Sequence, residues 1–307
     1  MSLLLDAVAT ARLLPTPALV EHLRAVLRDA SVEVPPRLVQ ALHGGGSLFV
    51  MPALDRHIAI TKLITFTPAN AGSARPAIQG DVVVFDVATG ERRLVLDGPT
   101  VTARRTAAVS LLAAQALAPA PDGPLLIVGA GAQGFAHLEA FAAGLPLRAV
   151  RIVSRSAASA EALAAHARAM GLDASVLAQA DAALAECPLV VTCTPAREVV
   201  LRQRPREDAF MAAVGAFTPR MVELAPELCR HCADTGGIWL DAADARHEAG
   251  DLLQAGLDLA ALPTLADLVR GTAAARAGSG PVLFKSCGWA GWDLAAARTA
   301  LEAADRA

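Results

Sequence analysis

Short apolar runs alternate with helical stretches through the second half of the chain, from about residue 124 onward. Nearly continuous apolar runs are typical of parallel strands that are buried on both faces, and their alternation with helices predicts a doubly wound parallel sheet. The predicted strands cover residues 125–128, 149–154, 174–177, 189–194, 212–215 and 237–241. The predicted helices cover residues 132–143, 157–170, 181–186 and 224–232.

The first half of the chain has a different pattern. An amphipathic helix is predicted over residues 16–29 and a long Ala/Leu-rich helix over residues 100–118. The strands predicted between them cover residues 37–42, 47–51, 58–66, 81–86 and 92–96, with a hairpin signal at residues 88–91. We expect this α+β block to shape a substrate pocket and a subunit interface, because it does not resemble a second nucleotide-binding fold.

A glycine-rich turn joins the strand at 125–128 to the helix that follows. Gly129 permits a tight turn, Gly131 lets a pyrophosphate approach the backbone, and Gly134 allows helix and strand to pack closely. The first turn of the helix, with Ala132 and Gln133, adds unpaired N–H groups and a partial positive charge. Such a motif also occurs in ordinary loops, but its place between a strand and a helix indicates a dinucleotide-binding Rossmann domain.

The end of the second strand of this domain bears on the choice of cofactor. A preference for NAD usually requires an acidic residue there, which accepts a hydrogen bond from the ribose. This chain has Ser154, Arg155 and Ser156 instead. A guanidinium attracts a 2′-phosphate, so we expect NADPH, with NADH as the alternative, although Arg155 could also be a solvated strand end. We also assign Thr194, at the end of the strand 189–194, to the cofactor site.

Two features of the first half suggest a site for a carboxylate. Arg104 and Arg105 lie in the first turns of the predicted helix 100–118, where they oppose the helix dipole. Such a pair can bind a carboxylate, or it can form salt bridges with the acidic residues Asp81, Asp86 and Glu91. Lys62 lies in an otherwise apolar strand, and burial would lower its pKa and make it a candidate acid, base or anchor. Strand alternation could equally point Lys62 at solvent.

Composition excludes several classes of function. The net charge is −3 and there is no Lys/Arg-rich run, so we expect no nucleic-acid partner. We expect neither a signal peptide nor a membrane span, and therefore a cytoplasmic protein. The five cysteines form no framework, and we interpret the CxxC pair Cys229 and Cys232 as reduced thiols without a metal.

Five segments in this order resemble the ornithine cyclodeaminase/μ-crystallin family. They begin at Val50 (VMPA), Thr61 (TKLIT), Thr102 (TARRTAA), Val128 (VGAGAQG) and Phe284 (FKSCG). The resemblance covers essentially the whole chain. It implies a substrate and dimerisation domain at residues 1–118 with 287–307, a Rossmann domain that binds NADP at residues 119–286, and a homodimer.

The resemblance also implies site residues. Arg37, Lys62 and Arg105 would hold the carboxylate of a small amino or imino acid. Cyclodeaminases and related alanine dehydrogenases carry an aspartate after the fifth strand that handles the substrate amine, and this position falls here on Phe217. A carboxylate that the cyclodeaminases place before the Met-Pro pair is also missing.

These departures favour the branch of the family that reduces cyclic ketimine carboxylates. The expected reaction is Δ1-pyrroline-2-carboxylate to L-proline, and the six-membered piperideine homologue to L-pipecolate, with hydride added to the C=N carbon. Lys62 is the expected proton donor, with His247 and Asp293 as alternatives. A cyclodeaminase, an amino-acid dehydrogenase or a non-enzymatic NADP-dependent binding protein of the same family remain the rival interpretations.

Overall fold

The computed structural model describes residues 3–70, 73, 75–195, 197–274 and 278–306. Contacts divide the chain into two compact units: unit 1 contains Met1–Arg105 and Trp289–Ala307, and unit 2 contains Thr106–Gly288. The expected first domain boundary, after residue 118, coincides with the end of a helix, whereas the division by contacts falls inside that helix. Among the described residues, no helix is both long enough and apolar enough to cross a bilayer.

Unit 1 is built on a mixed sheet. Its strands are β1 (Leu3–Leu4), β2 (Leu38–Ala41), β3 (Ser47–Leu54), β4 (Ile58–Phe66), β5 (Ile78–Asp86) and β6 (Arg92–Asp97). Their order is β1-β6-β5-β4-β3-β2, with β1 parallel to β6 and the other neighbours antiparallel. Its helices are α1 (Ala7–Arg12), α2 (Thr16–Arg28), the start of α3 (Gly98–Leu117), and α10 (Ala290–Asp305) from the end of the chain.

One face of this sheet is covered. Helix α10 packs on β3, β4 and β5 and also on α2, whose apolar stripe is buried. Residues of β4 therefore alternate, so that Ile60, Lys62 and Ile64 are buried while Leu63 on the opposite face is 45% exposed. The alternation points Lys62 into the covered face, which excludes the solvent-facing alternative.

Unit 2 contains a parallel sheet of seven strands. They are β7 (Leu125–Val128), β8 (Ala149–Val153), β9 (Asp173–Val176), β10 (Leu189–Thr192), β11 (Phe210–Ala213), β12 (Ile238–Leu240) and β13 (Val282–Lys285). Their order is β12-β13-β11-β10-β7-β8-β9, and every pair is parallel. The helices, besides the rest of α3, are α4 (Ala132–Gly144), α5 (Ala157–Ala169), α6 (Ala180–Ala183), α7 (Pro226–Thr235), α8 (Gly250–Gln254) and α9 (Leu265–Arg270).

The strand order confirms the predicted doubly wound fold. From β7 the chain proceeds to β8 and β9 on one side and then returns to β10 on the other side. The gap between β7 and β10 is a topological switch point, and ligands of such sheets bind outside the carboxyl ends of the strands there.

Two predicted strands end two residues earlier than expected, for a common reason. Strands β10 and β11 stop at Thr192 and Ala213, whereas the predictions ran to 194 and 215. The backbone N–H groups of Thr194 and Gly215 donate to the buried carboxylate of Glu223, at 2.7 Å in each case. Hydrogen bonding to a side chain therefore replaces the sheet ladder at both ends.

Two further expectations need correction. Strand β13 was not predicted as a strand, although it is fully buried between β11 and β12. Helix α3 begins at Gly98, and Asp97 accepts a hydrogen bond from the N–H of Thr100 at 2.8 Å. Arg104 and Arg105 consequently lie beyond the first turn of α3, and the predicted conflict with the dipole at its N-terminus was wrong.

Candidate active site

The glycine-rich turn after β7 leads directly into α4. Gly129 has a φ of 117°, and a Cβ atom there would lie 2.7 Å from the carbonyl oxygen of Cys193. A Cβ on Gly134 would lie 2.2 Å from the carbonyl oxygen of Gly129, so this position must remain a glycine for helix and turn to pack. At Gly131, by contrast, no heavy atom lies within 4 Å of the Cβ position. The backbone is therefore open to a ligand at Gly131.

A cleft of about 990 Å³ lies over the carboxyl ends of β7, β8 and β10. Its walls include the turn from Gly129 to Gly131, Ser154 and Arg155 after β8, and Thr194 and Arg197 after β10. The size is at the upper end of ligand pockets, and the place is the switch point of the sheet. Helix α4 begins at this turn without a side-chain cap at Gly131. These features fit the pyrophosphate of a dinucleotide.

The remaining residues predicted to bind the cofactor have different positions. Ser156 caps α5, accepting a hydrogen bond from the N–H of Ser159 at 3.2 Å. Ala132 and Gln133 form the first turn of α4, and the side-chain oxygen of Gln133 is buried without a hydrogen-bond partner among the described residues. The hydroxyl of Thr194 already donates to Glu223 at 2.9 Å. Their contacts with a cofactor stay predictions.

A cluster of three buried charged side chains lies in unit 1. Asp293 on α10 places Oδ2 at 2.8 Å from Nζ of Lys62 on β4, and Oδ1 at 3.2 Å from Nε of Arg105 on α3. All three residues are at most 5% exposed. Arg105 does not pair with Asp81, Asp86 or Glu91, the partners considered from sequence, and Arg104 donates to the backbone oxygen of Leu14 at 3.3 Å.

The surroundings lower the pKa of Lys62 to about 8. Burial has the largest effect and disfavours the ammonium form, whereas the neighbouring Asp293 carboxylate raises the pKa. The positive charges of Arg105 and Arg37 lower it further, so Arg37, which is half-buried, belongs to the same electrostatic neighbourhood. Lys62 can therefore exchange a proton near neutral pH, as a general acid must.

Sequence reasoning named Asp293 only as an alternative proton donor and did not foresee its pairing with Lys62 and Arg105. The available signal was a single carboxylate within the apolar stretch from Ala290 to Ala297, which is buried throughout. Lys62, a single charged residue in the apolar strand β4, is a signal of the same kind. The other alternative, His247, is exposed on a 3-10 turn of unit 2 and does not line the cleft.

Phe217 lies in unit 2, partly buried against the hydrophobic core of that unit. Nearby in the chain, Glu223 accepts hydrogen bonds from Thr194, Gly215 and Ala216. Asp251 accepts the N–H of Glu223 at 2.5 Å and pairs with the buried Lys285 at 2.7 Å. This network, which sequence reasoning missed, fixes the segments that follow β10 and β11.

Comparison with known proteins agrees with this geometry. The sequence model of the ornithine cyclodeaminase/mu-crystallin family matches residues 3–307. The chain is 43% identical over 303 residues to Delta(1)-pyrroline-2-carboxylate reductase 2 of Burkholderia ambifaria, covering 98% of this chain and 95% of that protein. It is 42% identical over 301 residues to the Delta(1)-pyrroline-2-carboxylate/Delta(1)-piperideine-2-carboxylate reductase of Azospirillum brasilense, covering 97% and 94%.

Among solved structures, the fold is similar to that of Delta(1)-pyrroline-2-carboxylate reductase from Thermococcus litoralis, determined in complex with NADH and L-proline. The TM-score is 0.91 at 23% identity, and the match covers 99% of this chain and 98% of that one. At this identity the likeness demonstrates the common fold.

Proposed function

The chain belongs to the ornithine cyclodeaminase/μ-crystallin family, and we propose that it is an imine oxidoreductase that reduces Δ1-pyrroline-2-carboxylate to L-proline. Relatives at 42–43% identity over nearly the full chain carry this activity in their names. The observation that carries the proposal is the buried group of Lys62, Arg105 and Asp293 in unit 1. It supplies anchors for a carboxylate together with an amine that can give up a proton.

The cofactor is a nicotinamide dinucleotide, which supplies the hydride when bound. The turn from Gly129 to Gly131 would hold its pyrophosphate. We assign the phosphorylated form, NADPH, because Arg155 and Ser154 line the cleft where an acidic residue would repel a 2′-phosphate.

The residues of unit 1 are assigned two tasks. Arg105, assisted by Arg37, binds the substrate carboxylate and orients the ring. Lys62 protonates the imine nitrogen: an N–H bond of the ammonium breaks, a new N–H bond forms on the ring, and water later returns a proton to the amine. Protonation makes the C=N carbon electrophilic. The product keeps its ring nitrogen, so no carboxylate is needed at position 217 to handle ammonia.

The test compares substrates on the purified protein. We expect NADPH oxidation with Δ1-pyrroline-2-carboxylate and with its piperideine homologue, and slower oxidation of NADH. L-Ornithine with NAD serves as the rival reaction. Release of ammonia from ornithine at a comparable rate would instead identify a cyclodeaminase, and tight NADPH binding without turnover of any imine would indicate a binding protein.

We assign a second copy of this chain as the partner of unit 1. The face of the sheet opposite α10 exposes apolar side chains on three strands, Leu38 on β2, Leu63 on β4 and Phe85 on β5. Exposed apolar side chains that share one face of a sheet favour an interaction site there. Light scattering coupled to gel filtration should give twice the chain mass of 31.5 kDa. A monomeric mass at micromolar concentration would contradict the assignment.

A further inference from the structure

We propose that Asp293 is a positioning residue that keeps Lys62 protonated and aligned with Arg105 for a substrate carrying one negative charge. The proposal rests on the function proposed above for the same site. Nothing in the chemistry of carboxylate binding calls for a carboxylate on the protein, since it would repel the substrate. Its presence at the centre of the site therefore needs a separate reason.

The geometry supplies the first part of that reason. Each oxygen of Asp293 faces a different cation, at 2.8 Å from Lys62 and at 3.2 Å from Arg105. The three side chains come from β4, α3 and α10, so the carboxylate links three elements of unit 1 at one point. Substituting Asp293 would free both cations to move relative to each other.

The charges supply the second part. Lys62 and Arg105 carry two positive charges, and Asp293 carries one negative charge. The three together have an excess of one positive charge, to which the neighbouring Arg37 adds a second, and a monoanionic ring carboxylate offsets one of the two. Without Asp293, two buried cations would face each other unpaired, and each unpaired buried charge is strongly unfavourable. Lys62 would then be expected to lose its proton, because it is the group that can do so near neutral pH.

The surroundings of Lys62 contain little else that could hold the proton. Across the sheet its neighbours are Met51 on β3 and Val82 on β5, both buried and apolar. The charges that act on it are those of Asp293, Arg105 and Arg37, and Asp293 is the one that raises its pKa. The proton donor of the reaction thus depends on a residue from the last helix of the chain.

Arg105 remains able to bind a ligand in this arrangement. Its Nε faces Oδ1 of Asp293 at 3.2 Å. A guanidinium has five N–H groups, so this pairing leaves those of the two terminal nitrogens for another acceptor. An incoming carboxylate can accept from these nitrogens, which fits a role for Asp293 in positioning rather than in blocking the site.

The experiment measures ligand binding as a function of pH, with Asp293→Asn as the variant. The control is Asp305→Asn, which makes the same change on an exposed position of α10. The probe is pyrrole-2-carboxylate, a flat ring acid that does not titrate between pH 6 and 10, bound to the complex with NADPH and measured by calorimetry. The pH profile of kcat/KM with Δ1-pyrroline-2-carboxylate is recorded in parallel, because substrate titration is common to all variants.

We expect the affinity of the wild-type protein and of the control to fall as the pH rises through about 8, where Lys62 loses its proton. In Asp293→Asn the fall should begin at least one pH unit lower, and the basic limb of kcat/KM should move with it. Asp293→Glu, which keeps the charge, should restore the wild-type limb.

Equal loss of affinity at every pH in Asp293→Asn would overturn the proposal, since it would reveal a purely structural role. If the variant does not fold, the measurement on the wild-type protein is the test. An affinity of the wild-type protein for pyrrole-2-carboxylate that is constant between pH 7 and 9.5 overturns the proposal. A wild-type protein that binds the probe with the expected pH dependence but reduces no imine would refute the proposed function and leave the role of Asp293 standing.

Discussion

Lowering the pH should destabilise unit 2, because one of its histidines is buried in the neutral form. His137 lies on α4 and is fully buried; its Nδ1 is 2.8 Å from the backbone oxygen of Gln133 and its Nε2 is 2.9 Å from Oγ of Ser110 on α3. Because a carbonyl oxygen can only accept, Nδ1 carries the hydrogen and Nε2 accepts from the serine. Burial lowers the pKa of His137 from 6.5 to about 4, against a smaller opposing effect of the hydrogen bond to Gln133.

The size of the expected loss in unfolding free energy follows from the difference between the pKa of His137 in the folded and in the unfolded chain. Above pH 6.5 the imidazole is neutral in both the folded and the unfolded chain, and its contribution to stability is complete. Between pH 6.5 and about 4 the histidine is protonated in the unfolded chain but still neutral in the folded chain. The free energy of unfolding therefore decreases as the pH is lowered through this range. One unit of pKa is worth ~1.4 kcal/mol, and the loss should therefore reach roughly 3 kcal/mol near pH 4.

The assay is urea unfolding at several pH values, followed by tryptophan fluorescence. The chain has three tryptophans, and replacing Trp289 and Trp292 by Phe leaves Trp239 as a reporter of unit 2. In this background we compare His137 with His137→Gln, which cannot titrate. The control is His166→Gln, a half-exposed position on α5 that faces Glu139.

The stability advantage of the parent over His137→Gln should shrink by roughly 3 kcal/mol from pH 7 to pH 4. The difference between the parent and the His166 variant should show no comparable shrinkage. An advantage that stays constant over this range would refute the reasoning, because it would mean that the folded protein accommodates the charged imidazole.

Three further substitutions test the site and its support. Arg155→Ala should weaken NADPH binding at least tenfold and leave NADH binding nearly unchanged, as measured by cofactor fluorescence; equal losses would remove Arg155 from a phosphate site. Gly134→Ala should weaken binding of both cofactors, because the new Cβ would overlap the Gly129 carbonyl; unchanged affinity would show that the turn can shift freely. Lys285→Met should cost about 3–5 kcal/mol in urea unfolding, since it leaves the buried Asp251 unpaired, and adding Asp251→Asn should recover part of the loss. No recovery in the double variant would mean that the unpaired charge is not the cause.

The sequence allowed the architecture of unit 2 to be predicted because buried parallel strands are nearly continuous apolar runs, and β7 and β10, which are buried at every position, meet that description. Strand β8 was predicted as well, although it contains Arg151 and only its alternate residues are buried. Strand β13 was not predicted because it ends in Lys285, and a lysine ordinarily indicates an exposed position. Only the structure shows that Lys285 pairs with the buried Asp251. The ends of β10 and β11 were misplaced because Glu223 lies outside both strands. Local pattern carries no information about such distant partners.

The candidate site, too, was predictable only where the local sequence pattern contained the signal. Lys62 was recognisable as a charged residue in an apolar strand, and its burial under α10 agrees with that interpretation. The prediction that Lys62 and Arg105 belong to one site came from the family resemblance and not from their spacing in the sequence. Asp293 was hidden because a carboxylate in an alanine-rich helix is ordinarily solvated, and only the packing of α10 on the sheet places it beside two cations.

The arrangement of unit 1 bears on the order in which the chain can fold as it leaves the ribosome. Unit 2 is continuous in sequence, so it can fold once Gly288 has emerged. The sheet of unit 1 is synthesised before unit 2, but α10, which covers it, is synthesised after unit 2. The nascent sheet therefore keeps an apolar face and Lys62 uncovered until α10 has emerged, and unit 1 can bind a ligand only after that point.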